Sequence, residues 1–169
     1  QKQRTDTLGF IIPTHGPRFS DPFFSELLTG IGNAAAEEDY DLLVSTRAPG
    51  PEELQVYARM VRERRVDGLL VVRTRQQDQR IRCLIKHDFP FVAFGRSDLV
   101  DTKADFPYLD VDGKSGMRQL TQHLIDLGHR CIAYVCAPMG LMFASHRLEG
   151  YKETLEDNGI PFDKALVVA

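Results

Sequence analysis

The chain has 169 residues, 43% hydrophobic and 27% charged, a balance that supports a packed core and excludes a disordered or low-complexity protein. With 21 basic against 24 acidic residues its net charge is −3, so no bulk electrostatic attraction to nucleic acid is expected. No apolar run reaches membrane-spanning length, and the opening QKQRTDT lacks the apolar core of a signal peptide.

Residues 1–6 read as the polar remnant of a linker. After them short apolar strands alternate with longer amphipathic helices. TLGFIIP (7–13) reads as a strand. Residues 20–40 follow as a helix with Asp21 as its cap, Pro22 in the first turn, and Phe24, Leu27, Leu28, Ile31 and Ala35 at helical spacing. YDLLVST (40–46) is a second strand. Pro51 opens a helix over 51–64, with Leu54, Tyr57, Ala58 and Val61 on its inner face. The basic run RMVRERR closes it as a solvated helix end. DGLLVVR (67–73) is a third strand, 76–88 a short helix with Ile81, Leu84 and Ile85 inward, PFVAFG (90–95) a fourth strand and PYLDV (107–111) a fifth.

The pattern then restarts. Residues 112–129 read as a helix with Met117, Leu120, Leu124 and Leu127 on one side and Gly128 as its stop. RCIAYVCA (130–137) is a strand, 145–158 a helix, and ALVVA (165–169) the start of another strand. Continuous apolar strands separated by helices imply parallel sheets covered on both faces, a doubly wound α/β fold. The boundaries are a first lobe over 7–111 and the start of a second over 112–169, which reads as incomplete.

Two residues of the last helix are poor helix choices. Arg147 is expected near its start, where the dipole disfavours a cation, and Gly150 inside it costs about 1 kcal/mol relative to alanine. The three cysteines form no metal spacing. Cys83 falls in a helix, while Cys131 and Cys136 are expected to flank one strand on opposite faces and so cannot bridge each other; such a set suits a reducing cytoplasm.

Ligands of open parallel sheets bind beyond the carboxyl ends of the strands. The residues there are Thr14 and His15, Thr46 and Arg47, Arg73 to Arg75, Arg96 and Ser97, and Asp110 and Asp112, with Phe23 and Phe24 at the start of the first helix. Guanidiniums, carboxylates and an aromatic face suit a polyhydroxylated or anionic ligand. Phosphate-loop, dinucleotide-turn and nucleophile-elbow signatures are absent from the sequence. His15, His123, His129 and His146 assemble no nucleophile, base and orienter, and His123 and His129 fit a helix end better. The reading is therefore a binding protein, with no catalytic residue, metal or cofactor expected.

Six stretches in order resemble one family: LGFIIPTHGPRFSDPFFSELLTGIGNAAAEEDYDLLVST, ERRVDGLLVVRT, FPFVAFGRS, YLDVDGKSG, HLIDLGHRCIAYV and HRLEGYKETLEDNGI. Together they are similar to the effector-binding core of the lactose-repressor (LacI/GalR) family of bacterial transcription regulators. The resemblance implies a periplasmic-binding-protein-like fold of type I, with two doubly wound lobes and a sugar or other small metabolite between them. It also implies an N-terminal helix-turn-helix headpiece, a homodimer, operator DNA as partner, and an effector that switches DNA binding.

On the same resemblance, Phe23 and Phe24 line the ligand site, Arg96 and Arg147 reach it, and Arg73 and Arg75 stand where the family has smaller residues. Asp112 caps the crossover into the second lobe. Gly95 replaces an acidic residue common in the family, and Gly113 an asparagine. PFVAFGR resembles most the members that sense α-glucosides or related sugars. A periplasmic sugar-binding protein of the same fold, which would carry a secretory signal, and an enzyme of doubly wound fold are the alternatives.

Overall fold

The computed structural model describes residues 4–14, 22–99 and 105–168. His15 and Asp21, expected on the ligand rim and at the first helix cap, lie outside the described residues. The chain divides into two compact units, the first taking Gln1–Val72, Gln77–Phe94 and Leu99–Leu109, the second Arg73–Gln76, Gly95–Asp98 and Asp110–Ala169.

In the first unit β1 (Thr7–Pro13), β2 (Asp41–Arg47), β3 (Gly68–Val71), β4 (Phe91–Phe94) and β5 (Tyr108–Leu109) form one parallel sheet in the order β2-β1-β3-β4-β5. Paired on both edges and covered on both faces, β1 is apolar without alternation. Its pleat sends Phe10 and Ile12 to one side, where they meet Phe24 of α1 (Pro22–Glu37) and Val72. Ile11 goes to the other side, against Tyr57 and Met60 of α2 (Pro51–Glu63) and Ile81 and Leu84 of α3 (Gln79–Lys86). That is the doubly wound arrangement.

Of the predicted inner face of α2, Tyr57 is buried and Val61 packs partly buried against the core, while Leu54 and Ala58 are only half-buried and Glu53, Val56 and Met60 are buried as well. The physical reason for Glu53 is a buried ion network. Arg80, 1% exposed, donates from Nη1 to Glu53 at 2.9 Å and from Nε and Nη2 to Asp78 at 3.0 and 2.6 Å. Asp78 also accepts the Arg80 amide at 3.0 Å and so caps α3. Burial disfavours the charged guanidinium, but the Asp78 carboxylate, with Tyr57 and Glu53, outweighs it and holds Arg80 firmly protonated.

Residues 5 and 6, read as linker, are tied to this unit. The amides of Thr5 and Asp6 donate to the Asp67 carboxylate at 3.0 and 2.8 Å. Burial works against that charge, yet the two amides and Arg4 carry the Asp67 pKa below its ordinary value.

In the second unit α4 (Gly113–Asp126) packs on α5 (Met142–Asp157), and β6 (Tyr134–Val135) pairs in parallel with β7 (Val167–Val168). Asp112 caps α4 as expected, accepting the Ser115 amide at 2.9 Å. Gly128 (φ 93°) stops α4: its amide bonds Ile125 O and the His129 amide bonds Leu124 O, a Schellman ending. Of the predicted inner face of α4, Met117 and Leu124 join the core, whereas Leu120 and Leu127 are exposed and Thr121 and Ile125 are buried instead.

Three expectations are corrected in this unit. The strand predicted over 130–137 covers only Tyr134 and Val135, so Cys131 and Cys136 lie outside it; both are free thiols, as is Cys83. Helix α5 begins at Met142, three residues earlier than predicted. Arg147 therefore stands in the second turn, beyond the reach of the terminal dipole, and the helix-start argument does not apply to it. The early start is possible because a backbone segment supplies the cap: the Met142 amide donates to Thr74 O at 3.0 Å, and Arg75 bridges to Leu141. This pairing also draws Arg73–Gln76 into the second unit.

Candidate functional site

In the first unit the sheet order reverses at β1 and β3, and α1 is the helix that follows β1 in the chain. Phe23 and Phe24 occupy its first turn but play different parts. Phe24 is 2% exposed and belongs to the core, whereas Phe23 is 43% exposed. Its ring is held edge-on by Phe24 at 5.3 Å and rests on Phe94, the last residue of β4, at 5.7 Å. Three aromatics thus fix one partly exposed ring face at the carboxyl end of the sheet. Such a face suits the C–H surface of a sugar.

The remaining predicted ligand residues fall in the second unit. Arg73 follows β3 in a left-handed conformation (φ 49°) and is half-buried. The Arg75 carbonyl accepts the Ser97 hydroxyl at 2.7 Å, which ties two rim loops together. Arg96 donates from Nε to Asp110 Oδ2 at 2.8 Å, while Asp110 Oδ1 accepts the Val111 amide at 2.9 Å. The Ser115 hydroxyl and amide hold the Asp112 carboxyl below its usual range, and the charges of Arg96 and His146 act in the same direction. Arg147 is exposed, its guanidinium 5.0 Å from the centre of the Phe143 ring, and its stem runs beside Gly113. The structure thus brings Arg96, Asp110, Asp112 and His146 into one electrostatic neighbourhood.

Asp110 is the functional candidate that sequence reasoning undervalued. The sequence placed it on the ligand rim, but its ion pair with a residue fourteen positions earlier had no local signal. Gly95 has a clear reason: its φ of 112° disfavours any side chain, and a Cβ would collide with the Thr74 hydroxyl. The acidic residue that the family carries here could not be accommodated without moving this backbone.

His123 and His129 lie at the carboxyl end of α4, where His129 completes the helix stop, and neither joins the arrangement above. Among the described residues no group of three or more His, Cys, Asp or Glu is placed to hold a metal ion, and no helix is long and apolar enough to cross a membrane.

A parallel doubly wound unit with an aromatic face at the carboxyl end of its strands fits the class of α/β small-molecule-binding proteins. Residues 5–169 match the family of periplasmic binding proteins and the sugar-binding domain of LacI-type regulators, and the chain belongs to that family. It is 31% identical over 166 residues to the HTH-type transcriptional regulator CelR of Thermobifida fusca, an alignment spanning 98% of this chain and 48% of that protein. It is 32% identical over 161 residues to the HTH-type regulator AglR of Rhizobium meliloti, spanning 95% of this chain and 44% of AglR. Among solved structures, a CelR–cellobiose complex superposes with a TM-score of 0.86 at 30% identity, covering 98% of this chain and 50% of the other. A LacI-type regulator of Bacillus cereus subsp. cytotoxis superposes with a TM-score of 0.89 at 32% identity, covering 97% and 58%. The chain therefore spans about half the length of the curated relatives it matches.

Proposed function

We propose that this chain is the effector-sensing core of a bacterial LacI-type transcriptional regulator, acting as a repressor in the cytoplasm. Its effector is a sugar or related small metabolite. It acts without catalysis, as a homodimer, and meets operator DNA through a helix-turn-helix segment outside this chain. The observation that carries the reading is the superposition of nearly the whole chain on a cellobiose-bound regulator at 30% identity. The periplasmic alternative is not favoured, since the curated relatives named above are HTH-type regulators.

The proposed contacts are Phe23, backed by Phe24, in the first unit, and Arg73, Arg75, Arg96 and Arg147 in the second, with Asp112 fixing the start of α4. In the first unit the aromatic face suits the apolar side of a sugar ring, and in the second the guanidiniums suit hydroxyls as directional donors. Regulation follows if the effector binds one of two core conformations more tightly. Equal affinity would shift nothing, and a complete switch needs about a 10⁴-fold difference.

The test is calorimetric titration of the intact regulator against maltose, cellobiose, raffinose and their monosaccharides, alongside an operator band shift. Binding of one sugar, weakened about tenfold to a hundredfold by Arg147→Ala, is expected from loss of one hydrogen bond to a charged group. Tight sugar binding that leaves operator affinity unchanged would remove the regulatory role.

A further inference from the structure

We propose that Gly113 is a positioning residue for Arg147: the missing Cβ opens the track along which the arginine side chain crosses the first turn of α4. The inference rests on the reading of Arg147 as an effector contact.

Gly113 is the first residue of α4, and no other role accounts for a glycine there. It is absent from the positive-φ positions, so the backbone does not require it. The helix cap comes from the Asp112 side chain, which needs nothing of its neighbour. The three atoms nearest a Cβ built on Gly113 all belong to Arg147, with Cγ at 3.2 Å, Nε at 3.3 Å and Cδ at 3.9 Å. The next glycine of the same helix, Gly116, has open space at the corresponding position, so the contact is particular to residue 113.

The guanidinium of the same arginine lies over Phe143, one turn earlier on α5, its carbon 5.0 Å from the ring centre. The side chain is thus bounded by an aromatic ring and a glycine. In this chain a Cβ at 113 pushes the stem off its present track, by tenths of an ångström for alanine, and a leucine moves it off the ring. A hydrogen-bonding group moved that far no longer meets the same ligand hydroxyl. Residue 113 would in this way tune effector affinity without touching the effector.

Crystal structures of the intact regulator and of its Gly113→Ala and Gly113→Leu variants test the geometry. Arg147 is expected to shift slightly in the first and to leave the Phe143 ring in the second; an unchanged guanidinium in Gly113→Leu overturns the proposal. Calorimetry with maltose and cellobiose tests its consequence. Gly113→Leu is expected to weaken binding at least tenfold in the parent protein and to have no further effect in Arg147→Ala. An equal loss in both backgrounds would show a merely structural role and overturn it. If neither sugar binds the parent while the guanidinium still shifts, the positioning stands and the effector reading falls.

Discussion

Gly150 of α5 lies directly on the backbone of Lys114 in α4: a Cβ at Gly150 would stand 3.2 Å from the Lys114 carbonyl carbon and closer still to its oxygen. Helix propensity alone says that Gly150→Ala gains about 1 kcal/mol. The clash is with backbone of a packed neighbouring helix and cannot be relieved by a rotamer. The variant is therefore expected to lose about 1–3 kcal/mol net, as overpacked cores do. Urea denaturation of the intact protein checks it; an unchanged or raised midpoint would show that the helices simply separate.

Arg80 is the second test. Removing one partner of its network leaves a buried charge without compensation, so Arg80→Ala or Glu53→Ala is expected to cost about 3–5 kcal/mol. Replacing Arg80 and Glu53 with apolar residues of similar volume (Arg80→Met, Glu53→Leu), and Asp78 with a neutral capping residue (Asp78→Asn), should recover much of that loss. Thermal melting of the series distinguishes the two outcomes. A single substitution that is neutral would mean the network is not closed to water.

The Tyr151 hydroxyl, buried, donates to Ile132 O at 2.8 Å while the ring stacks on Tyr134 at 5.3 Å. Tyr151→Phe keeps the stack and orphans the carbonyl, so a loss of about 1 kcal/mol is expected in denaturant melts. A loss several times larger would indicate that the ring itself had moved.

Acid should destabilise the protein through three carboxylates. The Lys114 ammonium, then Arg118, holds the Glu153 carboxyl low; Asp112 is held low by Ser115; at Asp67 the amides of Thr5 and Asp6 overcome burial. A carboxyl with a depressed folded-state pKa contributes fully above its unfolded value near 4 and loses that contribution as pH falls through the lowered one. The melting temperature should be level above about pH 5 and fall below about pH 4. In a Lys114→Met, Arg118→Met variant the acid decline should be shallower. An identical profile would exclude Glu153 as a contributor.

The legible part of the site was its local chemistry. Asp112 followed from a carboxylate three residues before a donor amide, and the rim arginines from their places after strands. Helical spacing already placed Phe24 on the apolar face of α1, and it is core; that Phe23 rests on Phe94 with part of its ring exposed was not legible. On the inner face of α2, Tyr57 was legible from its spacing, whereas Glu53 is inward only because Arg80, 27 positions later, is there to meet it.

The order of strands and helices, the parallel sheet, the Asp112 cap and the Gly128 stop were all determined by the sequence alone, since periodicity, capping and left-handed glycine act within a few residues. Tertiary structure decided the rest: the early start of α5 on the Thr74 carbonyl, the burial of Arg80, the pairing of Arg96 with Asp110, and the close approach of Gly150 to the Lys114 backbone. Each of these depends on contacts between residues far apart in the chain, whose free energies exist only once the backbone has brought the partners together.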